Sequence, residues 1–308
     1  MKGMKMTDEQ LPDFPEFTEI KAEHKNKLEE YLSIFEPEIS EFNFTEMFMW
    51  RKIRKTKISM LNGNLCVSLE KNGERLFYRP FGKRDIEKTA GQLLEWGWRE
   101  LGECGVFGFT EEELVKTGIT DKKYEINSDR AESDYIYRAK DLIELGGRKY
   151  DGKRNHIKKF EKTYSAEMEE ITRENLQECV MFQKKWYEER DDGGDASLAL
   201  EHQAVNEALA DFEKLSVFGA LLRLKKKVIG YTLADRLNKD TVLIIAEKAD
   251  HEYKGIYQAL NNRFCRDFLG GYEFVNREQD TGKKGIRKAK LSYHPAEIRK
   301  KYCIKIKK

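Results

Sequence analysis

The sequence predicts an α+β protein in which one arrangement of helices and strands occurs twice. In the first half, three strand-like segments are separated by Asn-Gly pairs at 62–63 and 72–73, and a helical segment and a short apolar strand follow. In the second half, three apolar strand segments are broken at 225–227 and 238–240, and the same two elements follow. Each half is therefore expected to form a mixed, mainly antiparallel sheet flanked by helices. Coincidence is the alternative, since such elements are common and the halves share little identity.

The elements of the first half follow from periodicity. Apolar residues at helical spacing predict a helix within 20–35, and 44–53 is typical of a second. The strands are KISMLNG, LCVSLEK and RLFYRPF. An apolar stripe over 85–102 predicts an amphipathic helix, and GVFGFT predicts a short buried strand.

The second half repeats this order. Helical patterns over 176–186 and 198–212 are joined by the glycine-rich loop DDGGD. The segments LSVFGALLRL, VIGYTLADRL and TVLIIAEK predict the strands, 255–269 predicts a helix, and YEFVNRE predicts the last strand. The expected domains are 1–135 and 136–308.

Composition excludes several classes of protein. The chain has 308 residues, 57 Lys and Arg against 55 Asp and Glu, and a formal net charge of +2. Its longest apolar stretches fall short of the ~20 residues that cross a bilayer, and its start does not resemble a secretory signal, so we expect a cytoplasmic protein. Five scattered cysteines and five histidines show no metal-ligand spacing, so no metal and no disulfide framework are expected.

The stretch GGRKYDGKRNHIKKF concentrates positive charge in an otherwise balanced chain. A helix starting near Gly152 would pack Ile157 and Phe160 on one face and expose a basic face. The preceding loop and the helix amino terminus would favour an anion such as a phosphate. A linker helix with a solvated basic face is the alternative. The basic candidates are Arg148, Lys149, Arg154 and Lys158.

Longer strings carry a resemblance. YRAKDLIELGGRKYDGKRNHIKKF, VLIIAEKAD followed by YKGIYQALN, and VNREQDTGKKGIRKAKLSYHP resemble the family related to the carboxy-terminal domain of phosphatidylglycerol lysyltransferase. The element order is similar to that of GNAT-type N-acyltransferases. The resemblance implies two GNAT-like acyl-CoA N-acyltransferase domains in tandem, as in Fem-type aminoacyltransferases, some of which take an aminoacyl group from charged tRNA.

In GNAT-type enzymes, the turn after the fourth strand presents backbone N–H groups to the pyrophosphate of the acyl carrier. The resemblance places Lys254 and Gly255 in this turn. Tyr257 stands where the acetyl-CoA-binding pattern has a second small residue, so a ring would obstruct the phosphate path. Acyl-CoA and aminoacyl-tRNA both remain open as the donor, and no tightly bound cofactor is expected.

Acid–base candidates follow two strands. Glu278 or Asp280 could accept a proton from an attacking amine, and Arg277 or Lys290 could stabilise the oxyanion. Glu247 ends the preceding strand and is a further candidate. The alternative is a salt-bridged loop that fixes the basic tail.

The sequence therefore predicts an acyl- or aminoacyltransferase that moves a group from a phosphate-bearing donor to an amine or hydroxyl acceptor by direct attack. The expected partners are that donor and tRNA. The alternative is a non-catalytic GNAT-like module that binds an acidic ligand or RNA. The second domain is expected to hold the site, and the first to be structural.

Overall fold

The structure, a computed structural model, describes residues 10–71, 73–191 and 195–307. Asn72 of the predicted Asn-Gly turn and residues 192–194 of the glycine-rich loop lie outside the described residues. Within the described ranges, no helix combines the length and the apolar character that a bilayer crossing requires.

Helices form where the apolar spacing predicts them, and several shorter ones were not foreseen. The basic segment becomes α6, in which Ile157 and Phe160 are buried as expected. The described helices, in chain order, are α1 (Lys25–Ser33), α2 (Phe44–Met49), α3 (Ile86–Leu101), α4 (Glu111–Thr117), α5 (Ala139–Glu144), α6 (Asp151–Thr163), α7 (Leu176–Glu188), α8 (Ala196–Ala210), α9 (Phe212–Leu215), α10 (Ile256–Phe268) and α11 (Lys284–Leu291).

Strands form at both predicted meanders, with shorter strands added at the sheet edges. The described strands are β1 (Thr18–Glu19), β2 (Lys57–Leu61), β3 (Asn64–Lys71), β4 (Glu74–Tyr78), β5 (Gly105–Phe109), β6 (Tyr124–Ser128), β7 (Asp134–Arg138), β8 (Ala166–Glu170), β9 (Phe218–Leu224), β10 (Lys227–Arg236), β11 (Thr241–Ala249), β12 (Phe274–Asn276), β13 (Glu297–Arg299) and β14 (Tyr302–Ile306).

The chain divides into two compact units, and each unit is built from segments that are separate in the sequence. Unit 1 contains the chain up to Phe35, Arg51–Asn127 and the end from Cys303. Unit 2 contains Glu36–Trp50 and Ser128–Tyr302. The main break, at Asn127, lies close to the boundary expected after residue 135. Segment 36–50 belongs to the second unit, although it precedes the first meander.

Unit 1 is built around a mixed sheet. Its described strands lie in the order β1-β2-β3-β4-β5-β14-β6. The meander β2-β3-β4 is antiparallel, and β5 joins β4 in parallel after α3. This is the predicted order of three strands, a helix and a short strand, and the structure shows that the last strand is parallel to β4.

Unit 2 repeats the arrangement. The order of its described strands is β13-β7-β12-β11-β10-β9-β8. The meander β9-β10-β11 is antiparallel, and β12 joins β11 in parallel after α10. The predicted duplicated α+β fold, with mainly antiparallel sheets flanked by helices, is therefore confirmed.

The pairing of β11 with β12 is short. It joins Thr241–Leu243 to Phe274–Asn276 and then stops, while β11 continues to Ala249. The predicted last strand over 272–278 was too long, because Glu278 has a φ of 57° and leaves the extended conformation. Beyond residue 243 the two strands diverge, so side chains rather than ladder hydrogen bonds fill the space between them.

The core of unit 2 lies between the sheet and helices α5, α6 and α10. Tyr135, Tyr137, Val242 and Phe264 belong to one buried cluster. The close approach of α6 to the start of α10 depends on Gly255, which has a φ of 90°. A Cβ built there would lie 2.5 Å from the carbonyl oxygen of His156. The basic helix is therefore held directly against the predicted phosphate turn.

Candidate functional site

An ion pair spans the divergence between β11 and β12. Arg277, just after β12, donates from Nη2 to Glu247 Oε1 on β11 at 3.0 Å. Asn261 of α10 donates to the other carboxylate oxygen of Glu247 at 3.0 Å. Sequence reasoning named both members of the pair, and the structure brings them together because the parallel register puts both strand ends at one edge.

Two tyrosines and a lysine surround the Arg277 guanidinium. Its centre lies 5.1 Å from the Tyr293 ring and 5.8 Å from the Tyr137 ring. Lys153 of α6 lies 3.9 Å from the Tyr293 ring centre and donates to Ser292 Oγ. Burial, together with the charge of Arg277, lowers the pKa of Lys153 to about 8. A substantial fraction of this amine is therefore neutral near physiological pH.

Three polar atoms near Glu247 are buried and have no hydrogen-bond partner among the described residues: Thr232 Oγ1, Asn261 Oδ1 and Arg277 Nη1. Thr232 is the cross-strand neighbour of Glu247 in the register of β10 and β11, so both side chains face the same side of the sheet. Buried polar groups are rarely left unsatisfied, so a water or a ligand group is expected here.

Glu278 lies one residue beyond Arg277. Its Oε1 is buried and makes no hydrogen bond within the described part of the chain. Burial first, and then the charge of Glu46, raise the pKa of Glu278 well above its ordinary value. These surroundings favour the protonated carboxyl group over the carboxylate, as suits a candidate acid–base group.

Lys290 fixes the backbone of this segment. Its ammonium donates to the carbonyl oxygens of residues 277, 278 and 279 at 2.5, 3.2 and 2.5 Å. Burial lowers the pKa of Lys290 to about 8, although the Glu278 charge acts in the opposite direction. The predicted oxyanion group thus holds the strand end in place in this structure.

Asp280 is enclosed by donors. It is fully buried and accepts from Tyr135 Oη at 2.6 Å and from Arg287 Nε at 2.8 Å. Burial alone would raise the pKa of Asp280, but the hydrogen bonds from Arg287 and Tyr135 hold it below its ordinary value. This geometry matches the salt-bridged-loop alternative for Asp280 better than a base.

The four basic candidates at the start of α6 have different surroundings. Arg154 donates to the carbonyls of Leu145 and Gly147 and pairs with Asp151, so it closes the loop before the helix. Lys149 lies against the Tyr150 ring, 4.9 Å from its centre. The remaining two, Arg148 and Lys158, are exposed.

The predicted phosphate turn is largely occupied by the chain itself. Asp250 is buried and accepts from the Glu252 backbone N–H at 3.2 Å, which places a carboxylate in the turn. Lys254 is exposed, and Gly255 packs against α6. Tyr257 points back to the end of β11, where its hydroxyl donates to the Ala249 carbonyl at 3.1 Å.

Sequence reasoning missed several members of this region. Lys153 was one of the residues that make the basic stretch, but it was not named as a site candidate, and Asn261 is one of two adjacent asparagines in a helix. Glu46 is about 230 positions away from Glu278 in the chain, and no local pattern connects them. A polar residue within an apolar strand, as at Thr232, was the one available signal.

Two mainly antiparallel sheets, each with one parallel strand pair that follows a three-stranded meander and a helix, form a tandem GNAT-like fold of the acyltransferase type. A model of the family described as phosphatidylglycerol lysyltransferase, C-terminal, matches residues 32–305. The chain belongs to this family, as the quoted sequence strings predict.

Solved structures agree with this assignment. A conserved protein of unknown function from Bacteroides thetaiotaomicron is 28% identical, with a TM-score of 0.89 over 97% of this chain and 100% of that chain. L-PGS from Bacillus licheniformis is 15% identical, with a TM-score of 0.65 over 96% of this chain and 94% of its own. FemX is 9% identical, with a TM-score of 0.60 over 94% and 96%. The last two likenesses concern the fold alone.

The name of a curated relative gives no activity either. An uncharacterised protein of Mycoplasmoides gallisepticum is 29% identical over 179 residues, which are 56% of each protein. The matched part thus spans about half the length of that relative. Family and fold together indicate an acyltransferase-like protein.

Proposed function

We propose that unit 2 transfers an aminoacyl group from aminoacyl-tRNA to an amine or hydroxyl acceptor by direct attack. The observation that carries this proposal is the divergence of β11 and β12, spanned by Glu247 and Arg277. The phosphate turn that the resemblance predicts follows directly after β11. Arg277 brings an unpartnered donor there, as judged over the described residues, and this Nη1 can stabilise a developing oxyanion.

The choice of donor rests on the phosphate turn. A pyrophosphate would have to compete for the backbone N–H groups of this turn with the Asp250 carboxylate, which accepts from the Glu252 N–H and pairs with Lys227. The same turn is covered by the His156 carbonyl of α6. Exposed Arg148 and Lys158 instead offer positive charge to a longer phosphate backbone. Aminoacyl-tRNA therefore fits this surface better than acyl-CoA.

The proposed chemistry needs no covalent enzyme intermediate. Burial raises the pKa of Cys179 and Cys265 to about 12, so neither thiol supplies a thiolate at neutral pH. Glu278 acts as the acid–base group, and Glu247 orients Arg277. Holding donor and acceptor together would supply much of the rate.

The test of donor choice is binding. Aminoacyl-tRNA and acetyl-CoA are titrated into the full chain over a salt series. We expect tRNA affinity to fall steeply with salt, and replacing Arg148 and Lys158 by Glu should weaken tRNA binding at least tenfold. Lys184→Glu, an equally exposed change on α7, is the matched control.

If the chain binds acetyl-CoA tightly and the Arg148 and Lys158 substitutions leave that affinity unchanged, the donor assignment is wrong. Binding of tRNA without any loss of its aminoacyl ester, with every acceptor tried, would favour the alternative of a non-catalytic RNA-binding module.

A further inference from the structure

The side chains around Glu247 have a fixed hydrogen-bond polarity. The Glu247 carboxylate accepts from Arg277 Nη2 and from Asn261 Nδ2, each at 3.0 Å. A carboxylate in an ion pair can only accept, so the amide nitrogen of Asn261 has to face it. The amide oxygen of Asn261 is therefore the end that points away from the carboxylate, and this assignment follows from its neighbour.

This amide oxygen is an acceptor that lacks a donor. Asn261 is 1% exposed, and its buried Oδ1 makes no hydrogen bond among the described residues. Thr232, directly opposite Glu247 in the register of β10 and β11, also has a buried hydroxyl without a partner in the described part of the chain. Helix α10, which carries Asn261, packs on both of these strands. Buried polar atoms of this kind are costly to leave unpaired, so a donor is expected here.

Three acceptors lie at or next to Glu247. They are Asn261 Oδ1, Thr232 Oγ1 and the Glu247 carboxylate itself, which has about four lone-pair sites and uses two of them in the bonds to Arg277 and Asn261. A hydroxyl group or a substituted amide supplies one donor and no charge, whereas an ammonium group supplies three donors and a positive charge. An ammonium group therefore matches this set of acceptors in both number and charge.

Arg277 contributes the opposite polarity beside these acceptors. Its Nη1 is a buried donor without a partner among the described residues. The side chains of Arg277 and Glu247 remain 14% and 11% exposed, so a ligand can reach the ion pair from outside. A fitting ligand has an ammonium group beside Glu247 and an oxygen acceptor beside Arg277. In an α-aminoacyl group, only the α-carbon and the carbonyl carbon separate such a nitrogen from such an oxygen.

We propose that Asn261, together with Glu247 and Thr232, binds the α-ammonium group of the aminoacyl group that is transferred. This inference rests on the proposed function and assigns the residues that distinguish an aminoacyl donor from a plain acyl donor. The carbonyl oxygen of the same group lies at Arg277 Nη1, where negative charge develops during transfer. The ammonium then pairs with Glu247 while the oxyanion pairs with Arg277. No bond to the α-nitrogen forms or breaks.

A plain acyl group fits the same space less well. It offers no N–H group to Asn261 Oδ1 and no charge to Glu247, so the buried acceptors stay unpaired when it binds. Sites built to hydrogen-bond a polar substrate group reject the analogue that lacks this group far more strongly than apolar pockets reject a missing methylene. Selectivity for the aminoacyl group therefore resides in Asn261 and its two neighbouring acceptors.

The test compares two amides of equal size. Glycinamide carries an amino group where propionamide carries a methyl group, and neither contains RNA. Each is titrated into the full chain at neutral pH and followed by calorimetry. We expect glycinamide to bind at least tenfold more tightly than propionamide, and Asn261→Leu should abolish this preference. Asn206→Leu, at a half-buried asparagine on α8 whose amide contacts His202, is the matched control and should keep the preference.

Equal affinity for the two amides, a preference that survives in Asn261→Leu, or no glycinamide binding at tens of millimolar would each overturn the inference. If Asn261→Leu does not fold, the amide comparison in the unmodified chain and in the isosteric Thr232→Val, which should weaken the preference, decides instead. Selective glycinamide binding without transfer from aminoacyl-tRNA would count against the proposed function and leave the ammonium site standing. Transfer from aminoacyl-tRNA together with equal affinity for the two amides would do the reverse.

Discussion

Lys301→Met should be among the most destabilising single changes in unit 2. The Lys301 side chain is fully buried between Asp134 and Glu41. Methionine keeps much of its volume but removes the charge, so two buried carboxylates are left without their cation. Breaking a buried ion pair from one side costs about 3–5 kcal/mol. For a unit of roughly 190 residues, each kcal/mol lowers Tm by about 2–4 °C, so Tm should fall by about 6–20 °C.

Urea unfolding monitored by fluorescence measures this loss, with Lys300→Met as the neighbouring exposed control, expected to stay within about 0.5 kcal/mol. Burial alone would lower the pKa of Lys301, but Asp134 and Glu41 raise it above the ordinary value. The stabilisation from Lys301 is therefore fully present below about pH 10.5 and is lost as pH rises through the folded-state pKa. A loss below 1 kcal/mol in Lys301→Met would refute this account of the cluster.

Three further predictions concern unit 2. Gly255→Ala should lower the free energy of unfolding by more than about 1 kcal/mol, because Gly255 has a φ of 90° and a Cβ there would clash with the His156 carbonyl oxygen. Gly152→Ala should raise the free energy of unfolding by about 0.5–1 kcal/mol, because the space around Gly152 is open among the described residues. Urea unfolding of both variants measures the two changes. Acetylation of Lys153 by acetic anhydride, followed by mass spectrometry, should show a midpoint near pH 8, and a midpoint near that of an ordinary lysine, about 10.4, would contradict its burial. Because folding raises the pKa of Glu278, the unfolded state loses this proton at a lower pH than the folded state does, and the contribution of Glu278 to stability declines as pH rises above about 4.5. The stability of Glu278→Gln relative to the unmodified chain should therefore be greater at pH 8 than at pH 5. Equal stability differences at both pH values would argue against a raised pKa at Glu278.

Local pattern was enough to predict the repeated element order and the packed face of α6. Periodicity is a property of neighbouring residues, and the stripe containing Ile157 and Phe160 is buried as expected. The short strands β13 and β14 were not predicted, because their sequences, EIR and YCIKI, are brief and contain charged residues. Their strand conformation comes from sheet pairing, which local propensity does not contain.

The candidate site could be predicted only in part. Glu247 and Arg277 were named because each lies near the end of a predicted strand, and their contact depends on the parallel register of those strands. Asp280 was named on the same ground, yet its surroundings are set by Tyr135 and Arg287, which no strand-end argument includes. The effect of Glu46 on the pKa of Glu278 depends on long-range packing of segment 36–50 into unit 2, which no local pattern predicts.

The most direct test of the central proposal is the discharge of labelled aminoacyl-tRNA by the purified chain in the presence of a primary amine, with the amide product identified by mass spectrometry. The account predicts amide formation that requires the amine and falls by about 10²–10⁴-fold in Glu278→Gln. Amide formed from acetyl-CoA instead, or at an unchanged rate in Glu278→Gln, would contradict it.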